Sequence, residues 1–122
     1  MNGNSRQNVP RYINRNYPSI LAQLRHRDCF FDDSCENGIE YMGSGSLSSW
    51  ERDTIDYVLI FYKNGTIKWE FSVPEFLELL KRSAEHTKLH YPQHFEEWNS
   101  CYQEVEHRLL SRWSGLDHTK EK

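Results

Sequence analysis

The stretch IDYVLIFYKNGTIKWEFS, residues 55–72, decides the fold. Asn64-Gly65 is the favoured pair for a two-residue type I′ turn, because both central positions need positive φ. Pairing Lys63 with Thr66 then sets the register of a β-hairpin. One surface carries Val58, Ile60 and Tyr62 opposite Phe71, Trp69 and Ile67, which makes it the core face. The other surface pairs Tyr57 with Ser72, Leu59 with Glu70 and Phe61 with Lys68, apolar on one strand and polar on the other. Such a face is either half covered by the N-terminal segment or left for a partner, a second copy included.

Downstream of the hairpin the chain turns sharply into a helix. Ser72-Val73-Pro74-Glu75 is a capping box, with Ser72 as N-cap and Glu75 at N3. Phe71 and Phe76 are placed for a hydrophobic staple, and Pro74 in the first turn loses no hydrogen bond. The spacing predicts a helix to about Leu89 that buries Phe76, Leu77, Leu80 and Ala84, interrupted by Pro92. A last helix from about Gln93 aligns Phe95, Trp98, Tyr102, Val105, Leu109 and Trp113 on one stripe. Gly115 is the expected residue beyond its end, with Leu116 packing back.

Upstream, Ile39 to Met42 alternates as a strand, and GSGSLSS follows as a loop. Pro18 and Ser19 open a short helix, ILAQLRHR, with Ile20, Leu21 and Leu24 on one face. Residues 1–16 read as a flexible Arg-bearing arm, 17–116 as a single α+β domain and 117–122 as a frayed tail. The fold expected is an antiparallel sheet of three or four strands, including the 55–72 hairpin. Two C-terminal helices and a short N-terminal helix pack against it.

Composition fits one core. The chain has 122 residues, 27% of them charged, with four Trp, seven Tyr and six Phe to bury. No run approaches the ~18 apolar residues needed to span a bilayer. The N-terminal residues contain no apolar signal region, and three cysteines suit no closed disulfide framework. These features predict a cytoplasmic, reduced protein with no membrane partner.

The net charge of −3 is unevenly distributed. Residues 1–27 sum to +5, residues 28–56 to −7 and residues 57–122 to −1. Blocks of this kind mark interaction surfaces or two segments that neutralise each other in the fold.

At the change of sign lies DCFFDDSCENG, residues 28–38. Cys29 and Cys35 are spaced too widely for a zinc pair. Asp28, Asp32, Asp33, Glu36 and Glu40 lack the alternation of a calcium loop. His86, His90 and His94 recur every four residues, but Pro92 breaks the helix that would stack them. Only His86 and His90, with Glu96 or Glu97, remain as a possible metal set. No phosphate-binding loop, nucleophile elbow or dinucleotide fingerprint is present. The sequence thus predicts no catalytic residue, no metal and no cofactor.

A protein-binding module is the leading expectation, of inhibitor or immunity type, blocking a basic partner such as a nuclease toxin. Its anchors are Phe30, Phe31, Tyr41 and Trp50, and its steering charges are Asp32, Asp33, Glu36, Glu40, Glu51 and Asp53. The competing reading is a nucleic-acid accessory protein using Arg6, Arg11, Arg15, Arg25 and Arg27 with Tyr12 and Tyr17 interleaved. Against it stands a sequence pI near 6.1. A small metal-dependent enzyme is the third reading. Monomer and homodimer are both compatible with the sequence.

Overall fold

Val58 lies opposite Phe71, Ile60 opposite Trp69 and Tyr62 opposite Ile67, the register the Asn-Gly turn dictates. The computed structural model describes residues 9–32, 37–44, 53–62 and 67–115, so the turn residues 63–66 lie outside it. The elements are α1 (Val9–Leu24), β1 (Cys29–Phe31), β2 (Gly38–Ser44), β3 (Thr54–Tyr62), β4 (Ile67–Phe71), α2 (Val73–His90) and α3 (Phe95–Leu110). A short 3₁₀ turn, Pro92–His94, joins the last two. The four strands form one antiparallel sheet in the order β1-β2-β3-β4. All three helices pack on one face of it, giving the expected α+β architecture.

The core face follows from strand alternation. Phe30 pairs with Ile39, Ile39 with Ile60 and Ile60 with Trp69, and all four side chains are buried. Tyr41 and Val58 form the next row, and the Tyr41 ring meets Phe76 of α2 edge-on at 6.2 Å. Tyr12 of α1 reaches the sheet through Tyr62, ring centroids 4.9 Å apart. Aromatic edge-to-face pairs therefore seat two of the helices.

β2 and β3 change register between Met42 and Gly43, leaving Asp56 as the extra residue on β3. The bulge turns Ile55 back to the core, where it is fully buried. Gly43 permits this, because a Cβ there would fall on the Thr54 carbonyl oxygen. Ile55 also gains a partner from the far end of the chain. Its N–H donates to the Arg112 carbonyl at 2.8 Å, and its carbonyl accepts from Ser114 N–H at 2.9 Å. Trp113 thereby pairs in parallel with Ile55, beyond the point where the β4 ladder stops.

α2 begins as the sequence dictates. Ser72 Oγ accepts from Glu75 N–H at 3.2 Å, and the Glu75 carboxylate accepts from Ser72 N–H at 3.0 Å. The apolar stripe of α3 buries Tyr102, Val105 and Leu109, with Phe95, Trp98 and Trp113 partly covered. Gly115 does adopt positive φ, at 86°, but α3 has already ended at Leu110. The residues between serve the contact with Ile55 instead.

Two sequence expectations are corrected. α1 starts at Val9 and runs through Pro18, so residues 9–16 are helix rather than flexible arm. Residues 1–8 lie outside the described residues, as do 116–122. Proline inside a helix costs about 3 kcal/mol. Val9, Tyr12, Ile13, Tyr17, Ile20, Leu21 and Leu24 form one continuous buried stripe across it, and their burial outweighs that cost. The second correction is β1. Cys29–Phe31 is a strand on the sheet edge, where the sequence reading placed a loop carrying partner-binding residues.

Candidate functional site

The acidic, aromatic segment is largely part of the scaffold. Phe30 and Tyr41 are 1% and 0% exposed, so neither ring is presented to a partner. Both fall on the core side of their strands, a consequence of pairing that spacing alone did not reveal. Burial holds the Tyr41 phenol well above the usual tyrosine range. Asp32 closes the β1–β2 connection: its N–H donates to the Asn37 carbonyl, and its carboxylate accepts from Asn37 Nδ2 at 2.7 Å. Glu40 is half-buried beside Cys29 and Leu59, Phe31 is 39% exposed, and Asp53 is exposed at the entry to β3. Asp33, Glu36, Trp50 and Glu51 lie outside the described residues, as does Cys35.

Asp28 has the most specific environment of the described acids. Arg112 donates to both its carboxylate oxygens, Nη1 at 2.9 Å and Nη2 at 2.6 Å, and Arg108 adds a bond at 3.2 Å. Asp28 is therefore a buried tie between the α1–β1 junction and α3.

The arginines of the N-terminal block do not form one stripe. Arg25 donates to both carboxylate oxygens of Glu104 and to Cys101 Sγ at 3.4 Å. Arg27 lies against Cys29 at the sheet edge. Arg11 and Arg15 stand apart, one turn from each other on the exposed side of α1, and Arg6 lies outside the described residues.

Cys29 and Cys101 carry free thiols. Burial raises the Cys29 thiol, and Arg27 opposes that only in part, so Cys29 is not tuned as a nucleophile. The His86 and His90 rings lie 4.4 Å apart. Among the described residues no group of three or more His, Cys, Asp or Glu is arranged to hold a metal ion. No helix among them is long and apolar enough to cross a membrane.

Two surfaces remain with the character of binding sites. The first is the sheet face turned away from the helices. Cys29, Glu40, Leu59 and Glu70 form one row across all four strands, and Phe31, Gly38, Phe61 and Lys68 form the next. Phe31 and Phe61 meet over Gly38 with centroids 6.0 Å apart. The glycine is required there: a Cβ would sit 2.7 Å from Phe61 Cζ and on the Phe30 carbonyl oxygen. Met42 and Tyr57 extend the apolar strip. No described helix covers it, so α1 does not shield this face.

The second surface is a cleft of about 470 Å³ between α1 and the corner where α2 passes into α3. Arg11, Asn14 and Arg15 form one wall; His86, Tyr91 and Trp98 form the other. His94 stacks on Trp98, with rings 5.0 Å apart and nearly parallel. The sequence carried the cleft's signals separately, as a polar i, i+3, i+4 set in α1 and as histidines near Pro92. Nothing local joined them.

No protein-family model, curated protein or solved structure matches the chain.

Proposed function

We propose that this protein is a protein-binding module, of inhibitor or immunity type, whose partner docks on the sheet face turned away from the described helices. One observation carries the reading: Phe31, Phe61, Leu59, Tyr57 and Met42 form a continuous apolar strip that no described helix covers. Such a strip on a four-stranded sheet supplies the apolar centre that binding hot spots need. Glu40 and Glu70 flank Leu59 in the central row, and Asp53 immediately precedes the same strand. Acids beside an apolar centre favour a partner with a basic surface, such as the substrate cleft of a nuclease.

The anchors are thus Phe31, Phe61, Leu59 and Tyr57 rather than Phe30 and Tyr41. The test begins with cross-linking and pull-down to identify the partner, followed by calorimetry with Leu59→Ser and Phe61→Ser. Each substitution should weaken binding by about tenfold or more while leaving the circular dichroism spectrum unchanged. A Glu40→Gln/Glu70→Gln variant should associate more slowly, with a shallower salt dependence. Unchanged affinity in the apolar variants would refute the reading. So would a homodimer that Leu59→Ser dissociates, since the face would then serve a second copy.

A further inference from the structure

The sheet-face reading makes no use of the cleft between α1 and the α2–α3 corner, which lies on the helical side of the molecule. Its α1 wall is built from one face of the helix, with Arg11, Asn14, Arg15 and Pro18 at positions i, i+3, i+4 and i+7. Arg11 and Arg15 make no hydrogen bond or ion pair among the described residues. That sets them apart from Arg25, Arg108 and Arg112, each of which is committed to a carboxylate. Asn14 is oriented from below, its Oδ1 accepting from Ser83 Oγ at 2.5 Å. Its amide N–H groups are thereby left as donors on the same wall as the two arginines. Among the described residues no carboxylate lines the cleft.

The facing wall is aromatic. Tyr91 is 48% exposed, its ring 6.4 Å from His86 and 6.2 Å from Trp98. Tyr17 meets Trp98 edge-on from the core side, and His94 stacks flat on it, so the indole is held firmly in place. The volume lies within the range of small-molecule sites.

We infer that this cleft binds a nucleoside phosphate, the phosphate on Arg11, Asn14 and Arg15 and the base against Tyr91 and Trp98. Arginine forks match phosphate oxygens, and charge-assisted bonds of this kind are the strong ones. Aromatic side chains stack on any base without demanding a particular one. A free anion would use only the first wall and a nucleoside only the second. The conjunction of both across one cleft selects a ligand that carries a ring and a phosphate together.

The experiment is calorimetry on the full chain with four probes: AMP, GMP, adenosine and inorganic phosphate. AMP and GMP should bind at least about tenfold more tightly than adenosine or phosphate alone. An Arg11→Gln/Arg15→Gln variant, altered only at exposed positions, should lose at least about tenfold in AMP affinity. Tyr91→Ala should weaken AMP and leave phosphate binding as it was. Leu59→Ser, on the opposite side of the sheet, should bind AMP normally, so failure here is distinguishable from failure of the sheet-face reading. Phosphate binding as tightly as AMP would overturn the assignment. So would affinities that the double arginine variant leaves unchanged, or no binding of either nucleotide.

Discussion

Arg112 grips Asp28 with two parallel bonds, Nη1 to Oδ2 at 2.9 Å and Nη2 to Oδ1 at 2.6 Å, across 84 residues of chain. Asp28 opens the acidic block of the sequence, yet it is 5% exposed and its carboxylate is held by Arg108 of α3 and Arg112 just beyond the end of that helix. With Arg25 and Glu104 one turn away on α3, it fixes the end of α1 and the start of β1 against that helix.

Removing this tie should be costly. Asp28→Ala leaves Arg108 and Arg112 mostly buried without this carboxylate, and should destabilise by about 3–5 kcal/mol. Chemical denaturation of the variant measures it directly. A loss below about 1 kcal/mol would show that the pair is screened like a surface ion pair.

The cap of α2 offers a smaller and separable effect. Ser72→Ala should cost about 1 kcal/mol by orphaning the Glu75 N–H, and Glu75→Ala should lose the reciprocal bond. Glu75→Gln keeps an acceptor and should cost less. Denaturation midpoints of the three variants give the ranking.

Gly38 should tolerate no side chain. In Gly38→Ala the new methyl meets the Phe30 carbonyl oxygen, which is backbone and cannot swing aside, as well as the Phe61 ring. A loss of about 1–3 kcal/mol is expected. Phe61→Leu in the same chain should recover only the part due to the ring, which a double-mutant cycle would read.

Stability should fall at alkaline pH. Burial raises the phenols of Tyr12, Tyr17, Tyr41 and Tyr102 above the ordinary tyrosine value of about 10. Above about pH 10 the unfolded chain therefore releases protons that the folded chain retains, and each such phenol lowers stability as pH rises. Below that value both states keep the proton and the contribution is constant. The urea midpoint should be level between pH 8 and 9 on this account and decline above 10. Tyr17→Phe should make the decline shallower. It should also cost nothing at neutral pH, because no described residue bonds the buried Tyr17 hydroxyl.

The readings that held rest on short spacings. Val58, Ile60 and Tyr62 alternate, the capping box spans four residues, and the α3 stripe repeats every three or four. The Pro18 error has the same origin in reverse. A local rule placed a boundary there, while the stripe from Val9 to Leu24 crossed it and won because its burial is larger. β1 was invisible because three residues are too few to show a period of two.

The site was legible only in fragments. Tyr57, Leu59 and Phe61 were recognisable as an outward face from the hairpin register, and that strip is the one no described helix covers. Phe30 and Tyr41 belonged to strands whose inward side was not fixed until β1 paired with β2 and β2 with β3.

By itself the sequence determined the hairpin and its register, the start of α2, the apolar face of α3 and the α+β class. Each is set by residues within one or two turns of one another, where backbone geometry alone decides which side chains share a face. Tertiary structure decided the rest. It took Asp28 from the acidic segment and buried it between Arg108 and Arg112, turned Phe30 and Tyr41 inward, and set Arg11 and Arg15 across a cleft from Tyr91 and Trp98. Those partners lie tens of residues apart, and only the packing of helices on one sheet face brings them together.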